Sequence, residues 1–256
     1  MGSGLFAEDA PAVELSAVEF DVLGERLGVE EFPVVLRVPS PGRSTAERAA
    51  LVRAAWDGLA RRGLADHPEI DPGLAGMLAV LARPESAVDV RVWGGRETRA
   101  LAALAGGTAV LAVLTEGALR LREIDGGLAR HAVSVAPPVP AGSGRSVTLP
   151  TADLAAAAPA GDLAAALAAR GVRGDDARGL GEMIGPLAAR GQFGCAHRDR
   201  YGRRRRTGRT VSFFDTADGR YVQLVSVNAD GVSWTTIAPA DRRAMLAHVE
   251  ELVKEV

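Results

Sequence analysis

Twice along this chain a run of helical periodicity gives way to a run in which apolar and polar residues alternate, and this repeated switch restricts the possible folds more than any single motif. In the first helical run, Ser16 with Glu19 three residues on makes a capping box, so the spacing of Val18, Val22, Leu23 and Leu27 predicts a helix over 17–27. Ser44 or Thr45 caps a second helix with Leu51, Val52, Ala55, Trp56 and Leu59 on one face, and Gly63 is placed to end it in a left-handed turn. A third helix is expected over 72–82. From Val88 the period is two, with Val88, Val90 and Val92 on one side and Asp89, Arg91 and Trp93 on the other. Strands are expected over 108–115 and 118–124, joined at Glu116-Gly117. Two shorter segments complete this half: the β-branched stretch 32–38 reads as a short strand, and 97–104 as a short helix.

Pro137, Pro138, Pro140, Gly142 and Gly144 then break both periodicities and read as an internal linker. Beyond it the plan returns. Residues 153–170 are an Ala-rich helical stretch interrupted at Pro159 and capped again by Asp162, and 177–187 is a further helix. Strands follow over 192–198, 210–215, 221–227 and 232–237. Pro239 opens a last helix whose Met245, Val249, Leu252, Val253 and Val256 share a face. The expected fold is therefore α/β of the α+β kind: a central antiparallel sheet with helical bundles, in two quasi-symmetric halves. We divide it into a flexible tail over 1–13 and one domain over 14–256, with half one at 14–135, the linker at 136–147 and half two at 148–256.

Charge and chemistry then narrow the function. Thirty basic and thirty-two acidic residues give a net charge of −2, which speaks against a surface that grips nucleic acid throughout. One cysteine, Cys195, excludes an internal disulfide framework and favours a cytoplasmic protein. No apolar run approaches the roughly 18 residues that span a bilayer, and Glu8 and Asp9 do not fit a standard export signal. Four scattered histidines, no HExxH and no Walker A motif predict neither a metal nor a cofactor. Cys195 and His197 share a strand face and form the one conceivable thiolate–imidazole pair, but no third residue to orient them is visible. We therefore expect no enzyme.

Two binding features remain. Residues 198–209 hold seven arginines and one acid, Asp199, with Arg203, Arg204, Arg205 and Arg206 in a row between two strands. They read as a solvated, mobile hairpin tip or as an anion-seeking loop, and the latter gives the alternative function of a nucleic-acid or polyanion-binding module. The last strands offer the second feature. With tight turns between them, Val211, Phe213, Val222 and Leu224 form a core face, while Ser212, Phe214, Tyr221, Gln223, Val225, Val227, Trp234 and Thr236 form another. That second face mixes aromatics with small polar groups, and Trp93 repeats the pattern in the first half. Phe214, Tyr221, Val225, Trp234 and Trp93 are the expected partner-binding residues.

The ordered segments together resemble the EspG family, the type VII (ESX) secretion-associated chaperones of actinobacteria. The resemblance rests on Phe20-Asp-Val-Leu23 ahead of Phe32-Pro-Val-Val-Leu-Arg-Val38, on Pro41-Gly42, Glu47-Arg48, Trp56 and Leu59, and on Gly191-Gln-Phe-Gly194 before the arginine-rich stretch. Phe213-Phe-Asp-Thr216, Gly219-Arg-Tyr221 and Trp234 ahead of Pro239 continue it, so that it runs from about Glu14 to Val256. It implies a cytosolic, non-catalytic chaperone or adaptor that binds helical secretion substrates of PE/PPE-like or WXG-like type and keeps them soluble for export.

Overall fold

Local signals account for where most helices begin and end in the computed structural model, which describes residues 12–255. The expected tail falls largely outside the described residues, and Val13 already belongs to a strand. The chain forms two units. The first takes the chain up to Arg91 with Arg96–Val135 and Ala196–Arg205, and the second takes Val92–Gly95, Ala136–Cys195 and the chain from Arg206.

In the first unit β1 (Val13–Ser16) leads into α1 (Ala17–Arg26), where Ser16 Oγ accepts from the Glu19 amide and Glu19 Oε2 accepts from the Ser16 amide at 2.8 Å. A single 3-10 turn over Val34–Leu36 precedes α2 (Thr45–Arg61), which Ser44 caps. Gly63 ends α2 at φ +67°, with its amide on Ala60 O and that of Leu64 on Leu59 O, both at 3.0 Å. This paired bonding satisfies two of the free carbonyls at the helix end and needs a residue that tolerates positive φ. A two-stranded ribbon, β2 (Ala65–Asp66) and β3 (Glu69–Ile70), is followed by α3 (Pro72–Ala82), capped by Asp71. Four longer strands then appear: β4 (Ser86–Gly94), whose last residues from Val92, Trp93 among them, belong to the second unit, β5 (Arg96–Ala105), β6 (Thr108–Thr115) and β7 (Ala118–Ile124), with the short helix α4 (Leu128–Val133) after them. They lie in the order β1, β7, β6, β5, β4, and the β1–β7, β7–β6 and β6–β5 pairs are antiparallel. Helices α1, α2 and α3 bury Phe20, Leu23, Trp56, Leu59 and Leu78 in one core with Leu15, Leu101, Val110 and Leu121 of the strands.

Two expectations for this unit are corrected. Residues 32–38 form no strand, because Pro33 O and Val34 O are taken up locally by the amides of Leu36 and Arg37. Residues 97–104 form β5, not a helix. Their Ala- and Leu-rich composition favours a helix, but Ala100–Ala103 are all buried to within 1 % while β6 supplies a full antiparallel register beside them. Tertiary pairing overrides propensity here.

In the second unit β8 (Val147–Pro150) leads into α5 (Thr151–Ala157), α6 (Leu163–Ala168) and α7 (Gly174–Met183). Asp162 caps α6, and Gly171, at φ +85°, ends it with the same bonding seen at Gly63. The strands are β9 (Ala189–Arg198), whose residues from Ala196 belong to the first unit, the three-residue β10 (Arg204–Arg206) paired with it, of which only Arg206 belongs to the second unit, and then β11 (Val211–Thr216), β12 (Gly219–Val227) and β13 (Ser233–Pro239). Asp241, rather than Pro239, caps the final α8 (Arg242–Lys254), which buries Met245, Val249 and Leu252. Val256, expected on that face, lies outside the described residues. The order β9, β11, β12, β13, β8 is antiparallel throughout.

The tract expected to be a linker is bonded into this unit. The Arg220 amide donates to Pro140 O at 2.8 Å, the Gly142 amide donates to Arg220 O at 3.0 Å, and Tyr221 Oη donates to Ser143 O at 3.1 Å. A Cβ on Gly142 would lie 2.2 Å from Cζ of Tyr221, so only glycine lets the tract close against that ring.

Candidate functional site

Strand register in the second unit decides which side chains share a surface. Ser212 faces Gln192 on β9 and Gln223 on β12, and Gln223 faces Ile237 on β13, so one row reads Gln192, Ser212, Gln223, Ile237. The next row on the same side reads Arg190, Phe214, Tyr221. Helices α5, α6 and α7 cover part of this side, packing Ala157, Leu167, Leu180 and Met183 with Val147, Leu149, Phe214, Tyr221 and Ile237. The uncovered part is a groove of about 590 Å³. Gln192, Ser212, Phe214, Gln223, Thr235 and Ile237 line it from the strands, Thr151, Leu154 and Ala155 from α5, and Ile184 and Leu187 from the segment after α7. A bond between Thr151 Oγ1 and Thr235 Oγ1 at 2.9 Å fixes the start of α5 to β13 at the groove edge.

The lining is mostly apolar, with a polar stripe down its floor. Gln192, Ser212 and Gln223 have no side-chain hydrogen bond within the described residues, and Arg190 has no carboxylate partner there. The Arg190 guanidinium instead stands 5.5 Å from the Trp93 ring centroid, closing one side of the groove with a cation–π contact. Leu187 is 53 % exposed at its rim.

The expected partner-binding residues are thus divided. Trp93 and Phe214 line the groove. Tyr221 does not: it is fully buried beneath the unit's own helices, its ring stacked on Phe214 at 5.3 Å. Val225, 37 % exposed, is on the groove side but beyond it. Trp234 and Thr236 are on the opposite side. The β12–β13 connection holds five residues, 228–232, because Val227 pairs with Ser233, so Thr235 and Ile237 take the places that a two-residue turn would have given to Trp234 and Thr236. Arg190 and Leu187 were missed. The only signal for Arg190 is its register opposite Phe214, and Leu187 carries none.

In the arginine-rich segment, Asp199 braces the turn of the hairpin. Asp199 Oδ1 accepts from the amides of Tyr201 and Arg203, each at 2.9 Å, and its Oδ2 accepts from Arg205 Nε at 3.3 Å. The Arg203 amide bond, with smaller contributions from Tyr201 and the Arg205 charge, holds the Asp199 carboxyl below the usual carboxylate range. Residues 200–206 are all exposed. Cys195 is fully buried, which removes the accessible thiol that a nucleophilic pair with His197 would need. Among the described residues no group of three His, Cys, Asp or Glu side chains is placed to hold a metal ion, and no helix is long and apolar enough to cross a membrane.

Comparison with curated proteins finds no match. Among solved structures, the chain is similar to the Mycobacterium tuberculosis type VII secretion system chaperone EspG5, solved in complex with the PE25-PPE41 dimer. The TM-score is 0.75 at 16 % identity, over 96 % of each chain. The two share the fold. The EspG family model matches residues 16–251, nearly the whole of the sequence, and the chain therefore belongs to the EspG family.

Proposed function

We propose that this protein is a secretion chaperone that acts in the cytosol by binding, without catalysis, and that it holds the helical tip of a PE/PPE-like partner in the groove of the second unit. The observation that carries the reading is the groove itself: apolar walls from α5 and the 184–187 segment over a floor whose Gln192, Ser212 and Gln223 lack partners within the described residues. An amphipathic helix end supplies both what the walls and what the floor lack, apolar side chains and backbone or side-chain polar groups. Family membership and the likeness to a chaperone solved with a PE–PPE dimer support the same class of partner. Uncharged polar groups also keep the empty groove wetted, so that its apolar walls do not form a continuous sticky patch.

The test is co-purification with the helical-hairpin protein encoded beside this gene, followed by calorimetric titration. Leu187→Asp and Trp93→Ala should each weaken binding about tenfold or more, the usual cost of losing a buried anchor. Trp234→Ala, on the other side of the sheet, should bind nearly as the parent does. Normal binding by both groove variants together with loss in Trp234→Ala would place the site elsewhere.

A further inference from the structure

We propose that the β9–β10 hairpin is a peripheral docking site for the headgroups of anionic phospholipids. The charge is concentrated there: residues 198–209 hold seven of the thirty basic residues and one of the thirty-two acidic ones, leaving 23 and 31 for the rest of the chain. Arg203, Arg204 and Arg200 have no carboxylate partner among the described residues, and Arg200 instead meets Tyr201, its guanidinium 4.8 Å from the ring centroid and Nη2 donating to Tyr201 Oη at 2.9 Å. Asp199 accepts from two backbone amides of this tip, so the arginines are presented from a hydrogen-bonded turn.

A flat anionic surface fits these features better than a nucleic-acid strand does. Seven consecutive residues, 200–206, are exposed, which makes the tip convex, whereas single strands are tracked by grooves with several stacking rings. The tip has one ring, Tyr201, 71 % exposed, and Arg200 already occupies one of its faces. An aromatic beside arginines is the composition favoured at a membrane–water interface. The acidic surplus elsewhere would repel a long polyanion but not a small cluster of headgroups under a tip within a Debye length.

Sedimentation with phosphatidylcholine vesicles, with and without phosphatidylglycerol, tests this on the full chain, and poly(U) is the competing probe. The protein should bind only the vesicles that contain phosphatidylglycerol, and less so as salt rises. Each arginine near such a surface is worth roughly a fivefold change in partition, so Arg200→Gln, Arg203→Gln and Arg204→Gln together should reduce binding about a hundredfold. Because these side chains are exposed, the melting temperature of that variant should match the parent's, which separates lost docking from lost folding. Failure of the parent to sediment with anionic vesicles at low salt overturns the proposal. Equal binding by the triple variant, or tighter binding to poly(U) than to the vesicles, does so as well.

Discussion

Arg220 is a buried charge in the second unit. Its guanidinium makes two bonds to Asp215, at 2.7 and 2.9 Å, with the side chains 2 % and 4 % exposed, and it lies 4.3 Å from the Phe213 ring centroid. Asp215 and Arg220 pair directly across the β11–β12 hairpin, so the geometry follows from register alone. In the sequence, Asp215-Thr-Ala-Asp218-Gly219 reads as a hairpin turn; the turn itself is Ala217-Asp218, while Asp215 belongs to β11, and nothing in the sequence signals that it is buried. Removing one member leaves the other as an uncompensated buried charge, so Asp215→Ala should cost about 3–5 kcal/mol. Urea denaturation of the variant checks this, and a loss below about 1 kcal/mol would mean that water reaches Arg220.

At the scale of elements, most helices were legible, because apolar periodicity and capping residues are local signals. The bounds of α3 agree with expectation, and α1 differs by one residue at its end. Elements whose bonding partners are distant were not. β5 has a helical composition and becomes a strand through its neighbours, β8 and α4 are too short to show a period, and the side occupied by Trp234 depends on the length of one loop. The groove shares this fate. Its floor lies on strands that the sequence reveals, but which part stays open is set by helices α5 to α7. Glycine offers a test at this scale with two signs. Gly76 is exposed in the interior of α3 with open space where a Cβ would go, so Gly76→Ala should stabilise by about 0.5–1 kcal/mol. Gly63, at φ +67°, should lose about 1–2 kcal/mol on the same change. Thermal melts of both variants read the difference, and a shared sign would contradict these helix assignments.

For the molecule as a whole, acid is the condition to which its electrostatics respond most directly. Hydrogen bonds from His131 and Arg130 lower the pKa of Asp125, the Arg203 amide that of Asp199, and Arg209 that of Glu255. A carboxyl depressed in the folded state adds stability that is fully present above its unfolded value, near 4, and is lost as pH falls through the folded value. The melting temperature should therefore hold from neutrality to about pH 5 and decline below it. A midpoint that rises on acidification past pH 5 would contradict that sign.

The tract from Pro137 to Gly144 has the composition of a cleavage site, rich in proline and glycine and without regular structure. Its backbone is nonetheless held by Arg220, and Gly142 lies against Tyr221 with no room for even a methyl group. A protease must pull a scissile segment out into an extended strand, and here that means first breaking the bonds to β12. In a digest the seam that looks weakest on paper should survive as long as the strand it is stitched to.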